Sequence, residues 1–336
     1  MTLRWALAEK EEGSTLFPDE RAATRHVGKG AYEGLEFLHV NARSIINKVP
    51  AESMMPFRYT INAYRGCSHA CVFCFARPTH DYLGLDIGKE FETKIVVKIN
   101  AVERLRAELR SPKWGGDTIA MGTNTDPYQH AEGKYHLTRG IIEALSEARN
   151  PFSILTKSTL ILRDAPRLAE AAARTDVSVN FSVGTLDREV WKMTEPGTPP
   201  PEQRLAALRR LTDMGIRCGV LVAPVLPGLS DSEAQLQEVS EASAAAGAVS
   251  IHGIALHLRG SVRQHYFSWL EGARPDLAAL YRARFRGGAY QPQSERDRVD
   301  TIVRTIARRH GVGGRNTYDR VAQPVKIQPS EQLSLL

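Results

Sequence analysis

Three of the four cysteines in this 336-residue chain, Cys67, Cys71 and Cys74, fall within eight residues. They sit in the run Asn62-Ala-Tyr-Arg-Gly-Cys-Ser-His-Ala-Cys-Val-Phe-Cys-Phe-Ala-Arg. Thiolates bind iron and zinc strongly, and intervals of three and two residues let one loop wrap one metal centre. In a chain expected to lie in a reducing compartment, such crowding points to metal or redox chemistry rather than structural disulfides. Three readings follow from the residues alone. A structural zinc site wants a closed shell of four ligands and would draw on His69 or His80 to complete it. An electron-transfer cluster normally has a fourth cysteine, and the remaining one, Cys218, is remote and falls in a predicted strand. A cubane with one open iron would leave a position at which a small molecule can chelate.

The elements that must hold this loop are legible as an alternating pattern from about residue 57 to 257. Strands are predicted at Tyr59–Ala63, Thr118–Gly122, Phe152–Thr156, Val177–Val183, Arg217–Ala223 and Val249–His257. These are short runs rich in Val, Ile, Leu and Phe, as expected of strands covered on both faces. Between them Leu137, Ile141, Ile142 and Leu145 share one helical face, and Leu205, Leu208 and Leu211 another. Asp164 before Pro166 reads as a helix cap, and Ser230 or Asp231 as the cap of a later helix. Six such βα units are too few for the eight-fold barrel and predict an α/β fold, a partial (β/α)6 TIM-type barrel, with a flat doubly wound sheet as the alternative. Residues 1–56, with scattered glycines and no clean periodicity, predict an irregular N-terminal extension. The core then spans 57–260, a helical C-terminal region follows over 261–314, with helices near 263–272, 276–286 and 294–310, and residues 315–336 read as a loose tail.

Composition narrows the setting. Hydrophobic residues make up 42% of the chain, ordinary for a protein with a sizeable core. No apolar run approaches the roughly 18–20 residues that cross a bilayer, and the N-terminus reaches Glu11 and Glu12 without a long apolar stretch. A cytoplasmic protein without a membrane partner is expected. The net charge of +6 is compatible with an anionic partner such as DNA or RNA but does not demand one. Many of the late arginines alternate with Glu295, Asp297 and Asp300, as solvated helix faces do.

The spacing Cys67-x3-Cys71-x2-Cys74, with Phe73 beside the last cysteine and a strand before the loop, resembles the hallmark of the radical S-adenosylmethionine (SAM) superfamily. The resemblance implies a [4Fe-4S] cluster whose open iron takes the amino and carboxylate groups of SAM. One electron then breaks a C–S bond to give methionine and a 5′-deoxyadenosyl radical. It also implies an external electron donor of flavodoxin or ferredoxin type. Thr125-Asp126-Pro127, after the second strand, is similar to the family's turn that binds the SAM amino group, although the family's glycines are replaced. Lys157, at the end of the third strand, is implied as a partner of the methionyl carboxylate. Asn180 and Ser182, two polar residues in an apolar fourth strand, are candidates for the ribose hydroxyls. The fifth strand's Pro/Gly turn around Gly228 is similar to the segment that packs along adenosine.

The stretches Arg43–Lys48, Pro56–Cys67, Cys74–His80, Thr125–Gln129 and Glu195–Pro200 resemble a group of bacterial proteins related to spore photoproduct lyase. Ala63 departs from the proline that relatives often carry. That resemblance implies a lyase-like reaction on nucleic acid and a cysteine that returns a hydrogen atom. Cys218 is the spare thiol for that role, though on a strand it also reads as a buried small hydrophobe. His80 is a candidate for the substrate side. Beside the radical reading stand a zinc-stabilised nucleic-acid-binding module and an electron-transfer iron–sulfur protein.

Overall fold

The computed structural model describes residues 23–53 and 55–313, together with the backbone of Leu7–Ala8. The predicted tail over 315–336 lies outside the described residues. Among the described residues, twelve strands follow in chain order: β1 (Leu7–Ala8), β2 (Ala23–Val27), β3 (Glu36–Val40), β4 (Ile46–Lys48), β5 (Tyr59–Ile61), β6 (Tyr64–Arg65), β7 (Lys94–Lys98), β8 (Ile119–Met121), β9 (Phe152–Thr156), β10 (Val177–Ser182), β11 (Arg217–Val225) and β12 (Ser250–Ala255). The larger sheet has the order β12-β11-β10-β9-β8-β5-β4. Its six predicted strands, β5 and β8 to β12, are all parallel, each beside its neighbour in sequence.

That order decides between the two predicted architectures. A doubly wound sheet reverses direction at a switch point, which places helices on both faces. Here the order never reverses, so right-handed crossovers put the connecting helices on one face and the sheet curls around the other. The result is a partial barrel. The helix Leu137–Glu147 buries Leu137, Ile141, Ile142 and Leu145, and Pro201–Asp213 buries Leu205, Leu208 and Leu211, as their spacing predicts. The helix Gln293–Arg309 covers β12 with Val299 and Val303, and Gly253 lets it approach: a Cβ there would lie 3.0 Å from the Val303 side chain. The helix of the sixth unit therefore comes from beyond residue 260.

The N-terminal region differs from the irregular extension predicted for residues 1–56. β2 and β3 form an antiparallel pair, β3 runs parallel to β7, and β6 closes the edge, giving a second sheet of order β1-β2-β3-β7-β6. β4 meanwhile pairs antiparallel with β5 at the barrel edge. These strands are too short and too exposed on one face to carry a periodicity, and their partner β7 lies more than fifty residues downstream. β7 itself, Lys-Ile-Val-Val-Lys, is absent from the predicted elements.

Two caps also differ. Asp164 occupies the cap position, but its carboxylate accepts from Arg139 at 2.8 Å and Arg163 at 3.0 Å rather than from the helix. The helix Glu233–Ala245 is capped by Ser232 in a capping box with Gln235. Ser230 and Asp231 brace the preceding Pro/Gly turn instead, accepting from the Leu226 and Gly228 amides at 2.9 and 2.8 Å.

Candidate active site

The cysteine loop leaves the C-terminal end of β5 and β6, where parallel α/β folds build their sites. Gly66, at φ +79°, starts it: a Cβ there would lie 2.8 Å from both the His80 ring and the Lys94 carbonyl. The Cys67 amide then donates to Phe91 O at 2.9 Å. Gln129 closes the base of the loop, donating to Gly66 O at 2.8 Å and accepting from the Ser68 amide at 3.1 Å. Behind it the fully buried Arg77 donates to the Cys71 carbonyl through two nitrogens, at 3.1 and 2.9 Å. Its other bonds reach Ile87 O, Gly88 O and Glu92, and its guanidinium lies over the Phe91 ring. A segment from the far side of the barrel straps the loop down. Val72 donates to Thr194 O at 3.0 Å, Gly197 donates to His69 O at 3.0 Å, and a Cβ on Gly197 would lie 2.2 Å from Ser68 O.

Cys67, Cys71 and Cys74 open on one chamber of about 210 Å³, which is also lined by Phe73, Asp126, Lys157 and Ser182. All three are free thiols. Burial, joined by the charges of Asp126 and Cys74, pushes the Cys67 thiol up to about 12. Burial likewise raises Cys71 and Cys74. Three thiolates therefore need a positive centre among them. Among the described residues no three His, Cys, Asp or Glu side chains gather around one ion position. Ligands of one zinc ion stand roughly 3.8 Å apart, given a Zn–S bond of about 2.3 Å and tetrahedral geometry. A cluster would take one thiolate on each of three irons, and three thiols lining one chamber supply that number.

Asp126 is the junction between this loop and the barrel. Its Oδ1 accepts from the Tyr128 amide at 2.9 Å and from Thr156 Oγ1 at 2.7 Å, while Oδ2 accepts from the Lys157 amide at 2.7 Å. His69 Nδ1 stands 3.5 Å from the same oxygen. Burial holds His69 down at about 4 despite that carboxylate, so the imidazole faces it neutral near pH 7. Thr125 beside it is buried, with its hydroxyl on Tyr64 O at 2.9 Å, and does not line the chamber. Its neighbour Asn124 does, and the buried Asn124 Oδ1 has no hydrogen-bond partner. A buried acceptor without a partner beside a chamber is a group that a ligand's N–H or O–H would satisfy.

Lys157 and Ser182 come together. The Lys157 ammonium donates to Ser182 Oγ at 2.8 Å and to Glu195 Oε1 at 2.5 Å, and stands 5.6 Å from the centre of the Phe73 ring. The Ser182 hydroxyl in turn donates to Ala223 O at 2.7 Å. Glu195 Oε2 meets Arg204 at 2.6 Å, and Arg204 also donates to Ser182 O, Pro199 O and Thr198 Oγ1. Burial opposes the charge on Glu195, but Arg204 and Lys157 outweigh it and hold the carboxyl near 2.

His80 and Cys218 stand outside the chamber. His80 is fully buried, bonds Lys94 O through Nε2 at 3.0 Å and turns its ring edge to Phe91. Cys218 is buried at the start of β11, paired with Val179 at the opposite end of the sheet from Ser182. Asn180 lies mid-strand, its Oδ1 in the space over Gly219. Asn124 and Arg204 were not among the sequence candidates, and Arg77, Gln129 and Glu195 were only parts of motifs. Gln129 bonds a loop more than sixty residues away, while Arg77 and Arg204 bond backbone oxygens of nearby loops whose irregular path no periodicity announces.

The family model of the radical SAM superfamily matches residues 61–238, more than half of the chain. A Mycobacterium tuberculosis protein of uncharacterised function is 47% identical over 290 residues, covering 86% of this chain and 85% of that one. An uncharacterised Methanocaldococcus jannaschii protein is 30% identical over 201 residues, covering 59% of this chain and 71% of that one. Among solved structures, spore photoproduct lyase complexed with dinucleoside spore photoproduct superposes with a TM-score of 0.62 at 17% identity, over 82% of this chain and 80% of that one. At that identity the likeness speaks for the partial barrel alone. With three thiols of the hallmark spacing meeting in one chamber at the barrel mouth, and the family model covering the strands that build it, the chain belongs to the radical SAM superfamily of enzymes.

Proposed function

We propose that Cys67, Cys71 and Cys74 hold a [4Fe-4S] cluster and that the chain cleaves SAM reductively against a nucleic-acid substrate. The observation that carries the reading is the convergence of these thiols with Lys157, Ser182 and Asp126 on one chamber. When bound, the cluster and SAM supply a one-electron C–S cleavage that yields methionine and a 5′-deoxyadenosyl radical. The chain's own residues bind, orient and exclude water. Lys157, held in place by Glu195, offers its ammonium to the methionyl carboxylate. Asn124 Oδ1 and the remaining lone pair of Asp126 Oδ2 offer acceptors for the SAM amino group. Ser182 keeps the ammonium aimed, and Phe73 covers the cysteine side from water.

Nucleic acid is favoured as the substrate by the net charge of +6 and by the shared barrel with spore photoproduct lyase. A flavodoxin- or ferredoxin-type donor in the cytoplasm would deliver the electron. Anaerobic reconstitution with iron and sulfide, followed by dithionite and SAM, should yield 5′-deoxyadenosine from the wild type. The same treatment should yield none from a Cys67/Cys71/Cys74→Ala variant. Absence of product from a fully loaded cluster, with and without oligonucleotide, would sink the reading.

A further inference from the structure

Three aromatic rings run outward from the chamber mouth. Phe75 and His257 both line the chamber, with ring centres 6.1 Å apart and planes tilted by 31°. His257 then stacks on Tyr290 at 5.7 Å and 24°, and a β-bridge between the two backbones fixes the pair. The outer members are open to solvent, Phe75 at 52% and Tyr290 at 42%. Two guanidinium groups lie over the Tyr290 ring, Arg259 at 5.2 Å and Arg296 at 5.5 Å. Arg259 has no carboxylate partner among the described residues. Burial, helped by Arg259, lowers the His257 pKa, so that ring is a neutral stacking surface at pH 7.

Single exposed aromatics are commonplace on protein surfaces. A row of them, opening into a reaction chamber and flanked by guanidinium groups at one end, asks for a ligand that is both flat and anionic. A nucleic-acid strand supplies both features in repeat, bases for the rings and phosphates for the cations. An enzyme that works on a base must also take it out of the stack, and a ring at the chamber mouth receives it.

We propose that the Phe75–His257–Tyr290 row with Arg259 and Arg296 is a docking platform for single-stranded or unstacked nucleic acid. The open face of Phe75 takes a base, and the arginines take the adjoining phosphates. The proposal rests on the chamber being the site of SAM cleavage. Its test is separate from turnover. Fluorescein-labelled single-stranded DNA and RNA oligonucleotides would be titrated with cluster-loaded protein, followed by anisotropy at several salt concentrations, beside an acidic peptide of equal charge.

The oligonucleotides should bind, with affinity falling as salt rises. Tyr290→Ala should weaken binding at least about five-fold, while Tyr290→Phe, which keeps the ring, should match the wild type. Arg259→Gln should lower the slope of log affinity against log salt by about 0.7. Tyr290 is partly exposed, so these variants should fold, and circular dichroism checks that. Absence of oligonucleotide binding, equal binding by Tyr290→Ala, or equally tight peptide binding overturns the platform. If 5′-deoxyadenosine still forms in those cases, the platform falls and the SAM reading stands. If the platform variants behave as expected in a protein that never cleaves SAM, the reverse holds.

Discussion

The Lys157 ammonium lies 2.5 Å from Glu195 Oε1, and Arg204 occupies the other oxygen of the same carboxylate at 2.6 Å. The three charges are 15%, 6% and 1% exposed. Glu195 belongs to the strap that also bonds the cysteine loop, so one carboxylate ties the loop, the end of β9 and the helix Pro201–Asp213 together. Removing it strands two buried cations. Glu195→Ala should cost about 3–5 kcal/mol, the range found when one partner of a buried pair is deleted. Urea midpoints of the variant and wild type measure this, and a loss below about 1 kcal/mol would show that the network does not brace the fold.

Lys157→Met keeps the side-chain length and removes the charge. In the reconstituted protein SAM affinity should fall at least about ten-fold, the equivalent of one lost charge-assisted hydrogen bond of about 1.4 kcal/mol or more. Equilibrium dialysis reads this without turnover. Unchanged affinity would remove Lys157 from the SAM site.

Arg77 clamps the Cys71 carbonyl from behind through two nitrogens. Arg77→Lys keeps the charge but loses the fork, and at about 1.5–3 kcal/mol for each lost bond to a charged donor the variant should be destabilised by about 3 kcal/mol. It should also retain less iron after gel filtration. Full iron retention at wild-type stability would show that the loop holds its shape without the clamp.

Cys218 sits at the opposite end of the sheet from the chamber, buried and with its thiol raised to about 12 by burial. A hydrogen-atom donor must reach the substrate, and Cys218 is buried and does not line the chamber. Cys218→Ala should leave both SAM cleavage and product pattern unchanged, at a stability cost of about 1 kcal/mol. An altered product pattern in that variant would restore the relay role.

His39 accounts for one pH dependence. Burial first, then the charges of His26 and Lys134, lower it to about 4, while its Nε2 meets the Tyr135 hydroxyl at 2.7 Å. An unfolded histidine binds its proton near pH 6.5, so the unfolded chain takes up a proton that the folded one refuses between about 6.5 and 4. The stability that neutral His39 contributes is present above that window and is lost as pH falls through it. His39→Gln should show a shallower decline over the same range, by up to one proton in the slope. Parallel slopes would place the effect elsewhere.

The sequence by itself determined the superfamily, through the spacing of the cysteine loop, and the parallel scaffold. Thiol spacing is a local property, and buried strands of β5 and β8 to β12 announce themselves as short apolar runs whatever their neighbours. Phe152–Thr156 was predicted to the residue, and Lys157 and Ser182 were singled out, one for its strand end and one for being polar in an apolar run. What only the tertiary structure decided is everything that depends on distant pairing. The unreversed strand order turned the sheet into a barrel. β7 drew the N-terminal strands into a second sheet. Thr125 was turned inward to Tyr64 while Asn124 was left facing the chamber. Glu195 and Arg204 became the fixture for Lys157. Hydrogen-bond partners thirty or more residues away leave no periodicity in a single sequence, so burial and partnership there are set only when the chain closes on itself.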